Sequence, residues 1–314
     1  MKRMLSVAVL AASLLVPNWA QAADFPTRPV TIIAGFNAGG TSDIILRAMA
    51  PELEKELGQP VLIVNKGGSG GAIAIGDLLT KDSDGYTVGL VLSAAFTLDV
   101  QTKKARYSMD DFKFLGMAGM VQEGFFCLAD KPWKDFKGMI EYAKKEGKPL
   151  TFASPAIIDT LIMKAIGKKE GVSFRKVPVK SGGETATNVL GGHVDIGYGG
   201  GIQIPYVQAG KMINLAATTV TPLVKFPECP TLLSLGYDGT CYDNFYGFFV
   251  KKDTPEDVCN KLSETFYKVV RLPSIQDAIA NKANLSPKVL ERDELLPLMK
   301  QQFEDYKALL AASK

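Results

Sequence analysis

The chain has 314 residues, with 36 Lys and Arg against 33 Asp and Glu, a single histidine and four cysteines. Setting aside Lys2 and Arg3 of the N-terminal segment brings the formal charge from +3 to +1, which excludes the concentrated basic footprint of a nucleic-acid binder. One histidine and no CxxC pair exclude the common zinc patterns, and about 290 residues beyond that segment suit two lobes better than one core.

Lys2 and Arg3, the apolar run Met4 to Val16 and Ala20-Gln21-Ala22 have the order of a cleavable signal peptide. The run is shorter than the roughly 20 apolar residues of a membrane span. Residues 1–22 are therefore expected to be removed, leaving a soluble exported protein in the periplasm. Val30 to Gly35 is rich in β-branched residues and predicts a buried strand. A helix follows over Asp43 to Leu57, bent at Pro51 and ended by Gly58. Val61 to Asn65 predicts a second strand, "KGGSGG" a loop, and the next residues a helix to about Leu79. Asp84-Gly85 is a turn, and Tyr86 to Leu92 a third strand.

Strand, loop and helix at this spacing imply βαβ units and parallel sheets. The pattern restarts at "LTFASP" (150–155), with a helix over Asp159 to Ile166, and continues through "VPVKSGGETATNVLGGHVDIGY" as strand, glycine loop, helix and strand. Phe245 to Lys251 is the last strand, and the economical arrangement returns it to the first lobe, so that the chain crosses between lobes twice. Glu256 to Leu272 and Glu294 to Leu310 carry helical periodicity.

The loops "NAGGTSD" (37–43) and "KGGSGG" (66–71) both join a strand's end to a helix's start. The first turn of a helix leaves backbone amides unpaired beneath a partial positive charge, and glycine lets the backbone approach a ligand closely. Two such loops at the carboxyl edge of one parallel sheet form an anion site suited to a carboxylate; either loop alone reads as ordinary turn chemistry with Ser42 or Asp43 as a cap.

Dinucleotide and P-loop fingerprints are missing, as are GxSxG and HExxH. His193 in "GGHVD" reads as an exposed loop residue and Asp195 as a structural acid at a strand end, so no enzyme, cofactor or metal is expected. The aromatics of "FYGFFVK" read as core, with Tyr246 within reach of a cleft. Cys229 and Cys241 flank a glycine-rich turn and either pair or remain buried thiols.

The stretch "FPTRPVTIIAGFNAGGTSDIILRAMAPELEKELGQPVLIVNKGGSGGAIAIG…DGYTV" resembles the N-terminal half of the Bug/TctC family, the periplasmic solute receptors of tripartite tricarboxylate transporters. The likeness continues through "LTFASP", "VPVKSGGETATNVLGGHVDIGY", "AGKMINLAATT" and "NFYGFFVKKDTPEDV". It implies an α/β, two-lobed Venus-flytrap fold, each lobe a mostly parallel sheet flanked by helices. Lobe 1 is expected over 23–124 and 247–314, lobe 2 over 125–246.

Carried over residue by residue, the first loop contributes Phe36, Asn37, Ala38, Gly39, Gly40, Thr41, Ser42 and Asp43. The second spans Lys66 to Gly71, with Gly67, Gly68, Ser69 and Gly70 at the ligand. Ser93 and Ala94 line the same wall. Lobe 2 contributes Ser154, Pro155, Ala156, Thr160, Ser181, Gly182, Gly183 and Tyr198. Three departures stand out: "AIIDT" (156–160) replaces a Gly-rich, Ser/His-containing stretch, Lys66 replaces Arg-Pro, and Tyr198-Gly199 replaces an "FD" that would put an acid in the cleft. The distal wall is therefore expected to be more apolar than that of an amino-acid binder.

The resulting expectation is a monomeric receptor for a mono-, di- or tricarboxylate, aromatic acids included, that delivers it to membrane transporter subunits. A sensor or signalling co-receptor without transport is the alternative; an enzyme on the same frame comes third.

Overall fold

A computed structural model describes residues 25–313, so the expected signal peptide lies outside the described residues. Strand β1 (Val30–Ala34) leads through a loop into α1 (Thr41–Leu57), β2 (Val61–Asn65) into α2 (Ala72–Leu79), and β3 (Thr87–Leu92) into the short α3 (Ala94–Thr97) and α4 (Asp99–Thr102). β4 (Phe112–Met120) then precedes β5 (Glu123–Leu128). The units α5 (Phe136–Glu146), β6 (Leu150–Ser154), α6 (Ile158–Glu170), β7 (Phe174–Pro178), α7 (Gly182–Leu190), β8 (Ile196–Gly200), α8 (Ile204–Gln208) and β9 (Met212–Ala217) follow. β10 (Phe245–Lys251), α9 (Glu256–Val270), α10 (Pro273–Asp277) and α11 (Arg292–Ala312) complete the chain.

The strands form two five-stranded sheets, ordered β2-β1-β3-β10-β4 and β7-β6-β8-β5-β9. β1 pairs parallel with β2 and β3, and β6 parallel with β7 and β8. In the first sheet β10 runs against both its neighbours; in the second β5 does the same. Each sheet's reversed strand is the one entered directly after a crossing between sheets.

The register places those crossings. Tyr246 at the start of β10 lies opposite Leu92 at the end of β3, and Glu123 at the start of β5 opposite Gly200 at the end of β8. Both crossings therefore leave from the carboxyl edges of the parallel strands, and the loops following those strands in the two sheets face each other. Val121 N–H donates to the Asn244 carbonyl at 2.7 Å, tying the two crossings side by side.

The cores follow the sequence patterns. Ile45, Leu46, Met49, Leu53 and Leu57 fall on one side of α1 at three- and four-residue spacing and are buried against Val30, Ile32 and Phe248 of the first sheet. Burying each such side chain contributes about 1.5–3 kcal/mol. Gly58 ends α1 at φ 66°, its amide closing on the Glu54 carbonyl at 2.9 Å. Phe125, Phe136, Phe152, Ile162 and Leu215 anchor the second core. α11 belongs to both: Leu295 and Met299 pack in the first lobe, Tyr306 and Leu309 in the second.

Strands β4, β5 and β9 and helix α5 lie in stretches for which the sequence reading predicted no element. β4 ("FKFLGMAGM") is buried on both faces and contains two glycines, so it shows neither alternation nor a clean β-branched run. Helix α1 begins at Thr41 rather than Asp43, because its first turn carries the loop polar residues.

Candidate functional site

The site begins where β1 ends. Phe36 to Gly40 turn the chain into α1, with Gly39 at φ 78°, a left-handed conformation that glycine adopts without strain. The Asp43 carboxylate reaches back to accept the Gly39 amide at 2.9 Å and binds Arg47 Nε at 2.8 Å. The Arg47 hydrogen bond holds the Asp43 carboxyl below its ordinary value. Gly40 N–H donates to the Asn37 carbonyl at 3.2 Å. The amides of Gly39 and Gly40, expected to face a ligand, are thus consumed in bracing their own loop. No acceptor within the described residues takes the amides of Ala38, Thr41 or Ser42. Ser42 Oγ is fully buried and has no partner.

The second loop packs on the first. A side chain at Gly67 would overlap the Asn37 carboxamide, and Asn65 Nδ2 donates to the Phe36 carbonyl at 3.1 Å. Gly68, Gly70 and Gly71 all have positive φ, as does Ser69 at 51°. That tight turn leaves the Gly67, Gly68 and Ser69 amides without acceptors among the described residues. Lys66 turns away into an ion pair with Asp77 at 2.7 Å, so the cradle's positive character comes from backbone dipoles.

The third strand's end is occupied. Asn244, at the second crossing, uses its carboxamide oxygen to accept from Ser93 Oγ at 3.0 Å and Ala94 N at 3.3 Å. The donors expected from Ser93 and Ala94 thus hold the crossing in place.

In the second lobe side chains dominate. Lys176 on β7 donates to the Ala156 carbonyl and to Thr160 Oγ1 at 2.9 Å, and pairs with Asp159 at 3.3 Å. Asp159 is fully buried, and burial raises its carboxyl to about 6; Oδ2 has no partner. Ser154 Oγ accepts the Ala156 amide, leaving Pro155 exposed at the bend. Ser181 caps α7 by accepting the Glu184 amide at 3.2 Å, while Glu184 accepts from Lys180 N. Gly182 and Gly183 therefore lie in an ordinary capped first turn. Tyr198 is buried, its ring 5.2 Å from Phe125 and its hydroxyl 3.4 Å from Thr218 Oγ1.

Glu123 stands between the two sets of loops. It opens β5 opposite Gly200 of β8 and is half-buried. Burial, added to by the charges of Asp159 and Asp243, raises it to about 7. Tyr246, whose ring lies 5.7 Å from Phe36, directs its hydroxyl to Thr41 and also feels Glu123. The first loop with Tyr246 lies on the first lobe, and Glu123 with Tyr198 on the second. Glu123 lies in "MVQEGFFC", where it is the single charge in a buried apolar run.

His193 is exposed. Asp195 is structural: it accepts from Thr151 N and Oγ1 at 2.9 and 2.8 Å and pairs with Lys131 at 2.6 Å. All four cysteines are free thiols. The Cys229–Cys241 bridge is not formed: Cys229 Sγ lies against the Pro230 carbonyl at 3.7 Å, and Cys241 Sγ accepts the Leu233 amide at 3.3 Å. Among the described residues no cluster of His, Cys, Asp and Glu has metal-site geometry, and no helix is long and apolar enough to cross a membrane.

Residues 45–313 match the family model "Tripartite tricarboxylate transporter family receptor". A UPF0065 protein of Cupriavidus necator is 31% identical over 297 residues, covering 94% of this chain and 90% of that protein. A TctC solute-binding protein from Polaromonas, solved without ligand, superposes with a TM-score of 0.77 at 25% identity, covering 91% of this chain and 99% of its own. A Rhodopseudomonas palustris protein solved with adipate superposes with a TM-score of 0.78 at 20% identity, covering 92% and 98%; at that identity the likeness shows the fold alone.

Proposed function

Because the chain belongs to the tripartite tricarboxylate transporter receptor family, a family of periplasmic solute-binding receptors and not of enzymes, we propose that it captures a small carboxylate between its lobes and delivers it to a tripartite membrane transporter. The lobes are proposed as 23–124 with 247–314, and 125–246, bounds that fall two residues inside β5 (Glu123–Leu128) and β10 (Phe245–Lys251).

One observation carries the reading: two loops at one sheet edge present the amides of Ala38, Thr41, Ser42, Gly67, Gly68 and Ser69 with no acceptor in the described chain, beside the buried, unpartnered Ser42 hydroxyl. Buried donors left unmade are costly, and a carboxylate entering from the opposite lobe supplies acceptors to several at once. The Polaromonas relative is named a solute-binding protein and the Rhodopseudomonas neighbour holds adipate, which supports a carboxylate as the ligand class. Phe36, Asn37, Gly70, Tyr198 and the second-lobe residues Ser154, Pro155, Ala156, Thr160, Gly182 and Gly183 form the remaining walls in this reading.

A thermal-shift screen of mono-, di- and tricarboxylates and aromatic acids against the matching amides tests it. A ligand at 100 times its dissociation constant adds about 2.7 kcal/mol, so a true ligand raises the melting temperature while its amide does not. A screen in which sugars or metals, and no acid, shift the melt ends the proposal. Delivery is tested by uptake of the acid found: deleting the receptor abolishes it, whereas a sensor without transport leaves uptake intact.

A further inference from the structure

We propose that the groove between α6 and the free edge of β7 docks an acidic, extended segment of a partner protein, which joins the five-stranded second sheet as a further strand. β7 stands at one end of that sheet and, among the described residues, pairs only with β6. Leu150 N–H donates to the Ser173 carbonyl at 3.1 Å, and the alternation of a parallel ladder then turns the backbone groups of Phe174 and Lys176 to the open side. No partner among the described residues takes them there. The sheet's opposite end is closed: beside β9, Ala217 N–H donates to the Pro230 carbonyl and Leu232 N–H to the Ala217 carbonyl. Along the open edge lies a groove of about 470 Å³, following α6 from Thr160 to Lys168 and reaching Val172.

The charge on this face has one sign. Lys164, Lys168, Arg175 and Lys176 line the groove, and no carboxylate does. The ion pairs of the second lobe among the described residues are Lys131–Asp195, Lys144–Glu170 and Lys176–Asp159, which leaves Lys164, Lys168 and Arg175 uncompensated. Phe174, half-buried, adds an apolar wall. Cations on an open edge repel a second copy of the same edge, and they attract a strand that carries acids. Alternate side chains of an extended segment fall on one face. Acids at every second position therefore all meet the groove while the segment's backbone fills the open edge. An anionic bilayer matches the charge but leaves the edge amides unpaired, so the free edge decides for a strand. Lys164 and Lys168 belong to none of the loops assigned to the solute, and the docking surface does not depend on which solute the cleft holds.

The test uses a fluorescent peptide of alternating valine and glutamate, its valine–lysine counterpart, and phosphatidylglycerol vesicles, each titrated against the intact protein. The glutamate peptide binds and the lysine peptide does not, and raising NaCl from about 0.05 M to about 0.5 M weakens the binding. Hydrogen exchange slows at the Phe174 and Lys176 amides when the peptide is bound. N-methylation of every second peptide amide abolishes binding in one register and spares it in the other. Lys164→Glu combined with Lys168→Glu, at two exposed positions, weakens the peptide about tenfold with circular dichroism unchanged. No binding of the glutamate peptide, equal binding of both peptides, or binding that survives the double variant overturns the assignment. Unchanged exchange at Phe174 and Lys176 overturns it too, as does vesicle binding that the double variant removes while no peptide binds, which would make the face a membrane contact. Should the double variant not fold, exchange at the two amides of the wild type decides alone.

Discussion

The two lobes share one topology and use it for opposite electrostatics. In both sheets four strands run parallel to one another and end at the cleft, and one reversed strand enters after a crossing. In the first lobe the loops after β1 and β2 leave backbone amides facing outward, with Asp43 and Lys66 turned back into their own elements. In the second the equivalent region is filled by side chains: Lys176 closes the Ala156–Thr160 loop, Glu184 and Ser181 cap α7, and Asp159 is buried beneath. A shared fold therefore fixes where a site lies, and the loop residues fix its sign.

The sharpest way to break this contrast is Lys176→Ala. It leaves Asp159 fully buried without its cation, a loss put at about 3–5 kcal/mol for a fully buried pair. Lys176 keeps a quarter of its side chain exposed, so about 2–3 kcal/mol is expected once solvent screening is allowed for. Denaturant unfolding measures it, and the double variant with Asp159→Asn should recover most of the loss. No recovery would show that Lys176 acts through packing alone.

Ser42→Ala sharpens the first lobe. In the empty protein it removes an unpartnered buried hydroxyl, so the melting temperature should hold or rise slightly; in the complex it deletes a donor, weakening carboxylate binding by about 1–3 kcal/mol. Destabilisation of the empty protein with normal affinity would assign Ser42 to the fold.

The lobes also diverge with pH. Asp43 has its pKa lowered in the fold by Arg47, so its contribution is present above the ordinary carboxylate value of 3.8 and is lost as pH falls through the folded pKa. Asp159 and Glu123, raised by burial to about 6 and about 7, carry the opposite sign. Their contribution is complete below the ordinary value and is lost as pH climbs through 6 and 7. The empty protein should melt a few degrees lower at pH 8 than at pH 5, and Glu123→Gln should remove the upper part of that fall. A flat profile would refute the burial of these carboxyls.

The smallest effect belongs to Gly39. A Cβ there meets open space, and the cost of Gly39→Ala is the left-handed φ of 78°, about 1 kcal/mol. Because its amide is already held by Asp43, affinity should be unchanged; a large loss of binding would place Gly39 at the ligand.

These outcomes bear on what the sequence could disclose. The glycine loops and the βα rhythm were legible because each rests on local spacing, and the return of β10 to the first sheet because it is the economical way to pair a last strand. The partners of Ser93 and Thr160 were not. Asn244 reaches Ser93 across 151 positions, and Lys176 reaches Thr160 across 16 with a strand boundary between, and no local pattern encodes such pairings. Glu123 was visible as a charge in an apolar run but not as a cleft residue, since that depends on where β5 enters its sheet.

Helix α11 has its own consequence. It buries Leu295 and Met299 in one lobe and Tyr306 in the other, stacking Tyr306 on Tyr242 at 4.4 Å, and Gln101 Nε2 donates to the Phe303 carbonyl at 2.8 Å. The lobes are thus tethered three times rather than twice. A third tether shrinks the set of open arrangements available before capture, so closing around a solute forfeits less conformational freedom. Trimming α11 back from its C-terminal end would then loosen binding through the open state, without touching a single ligand contact.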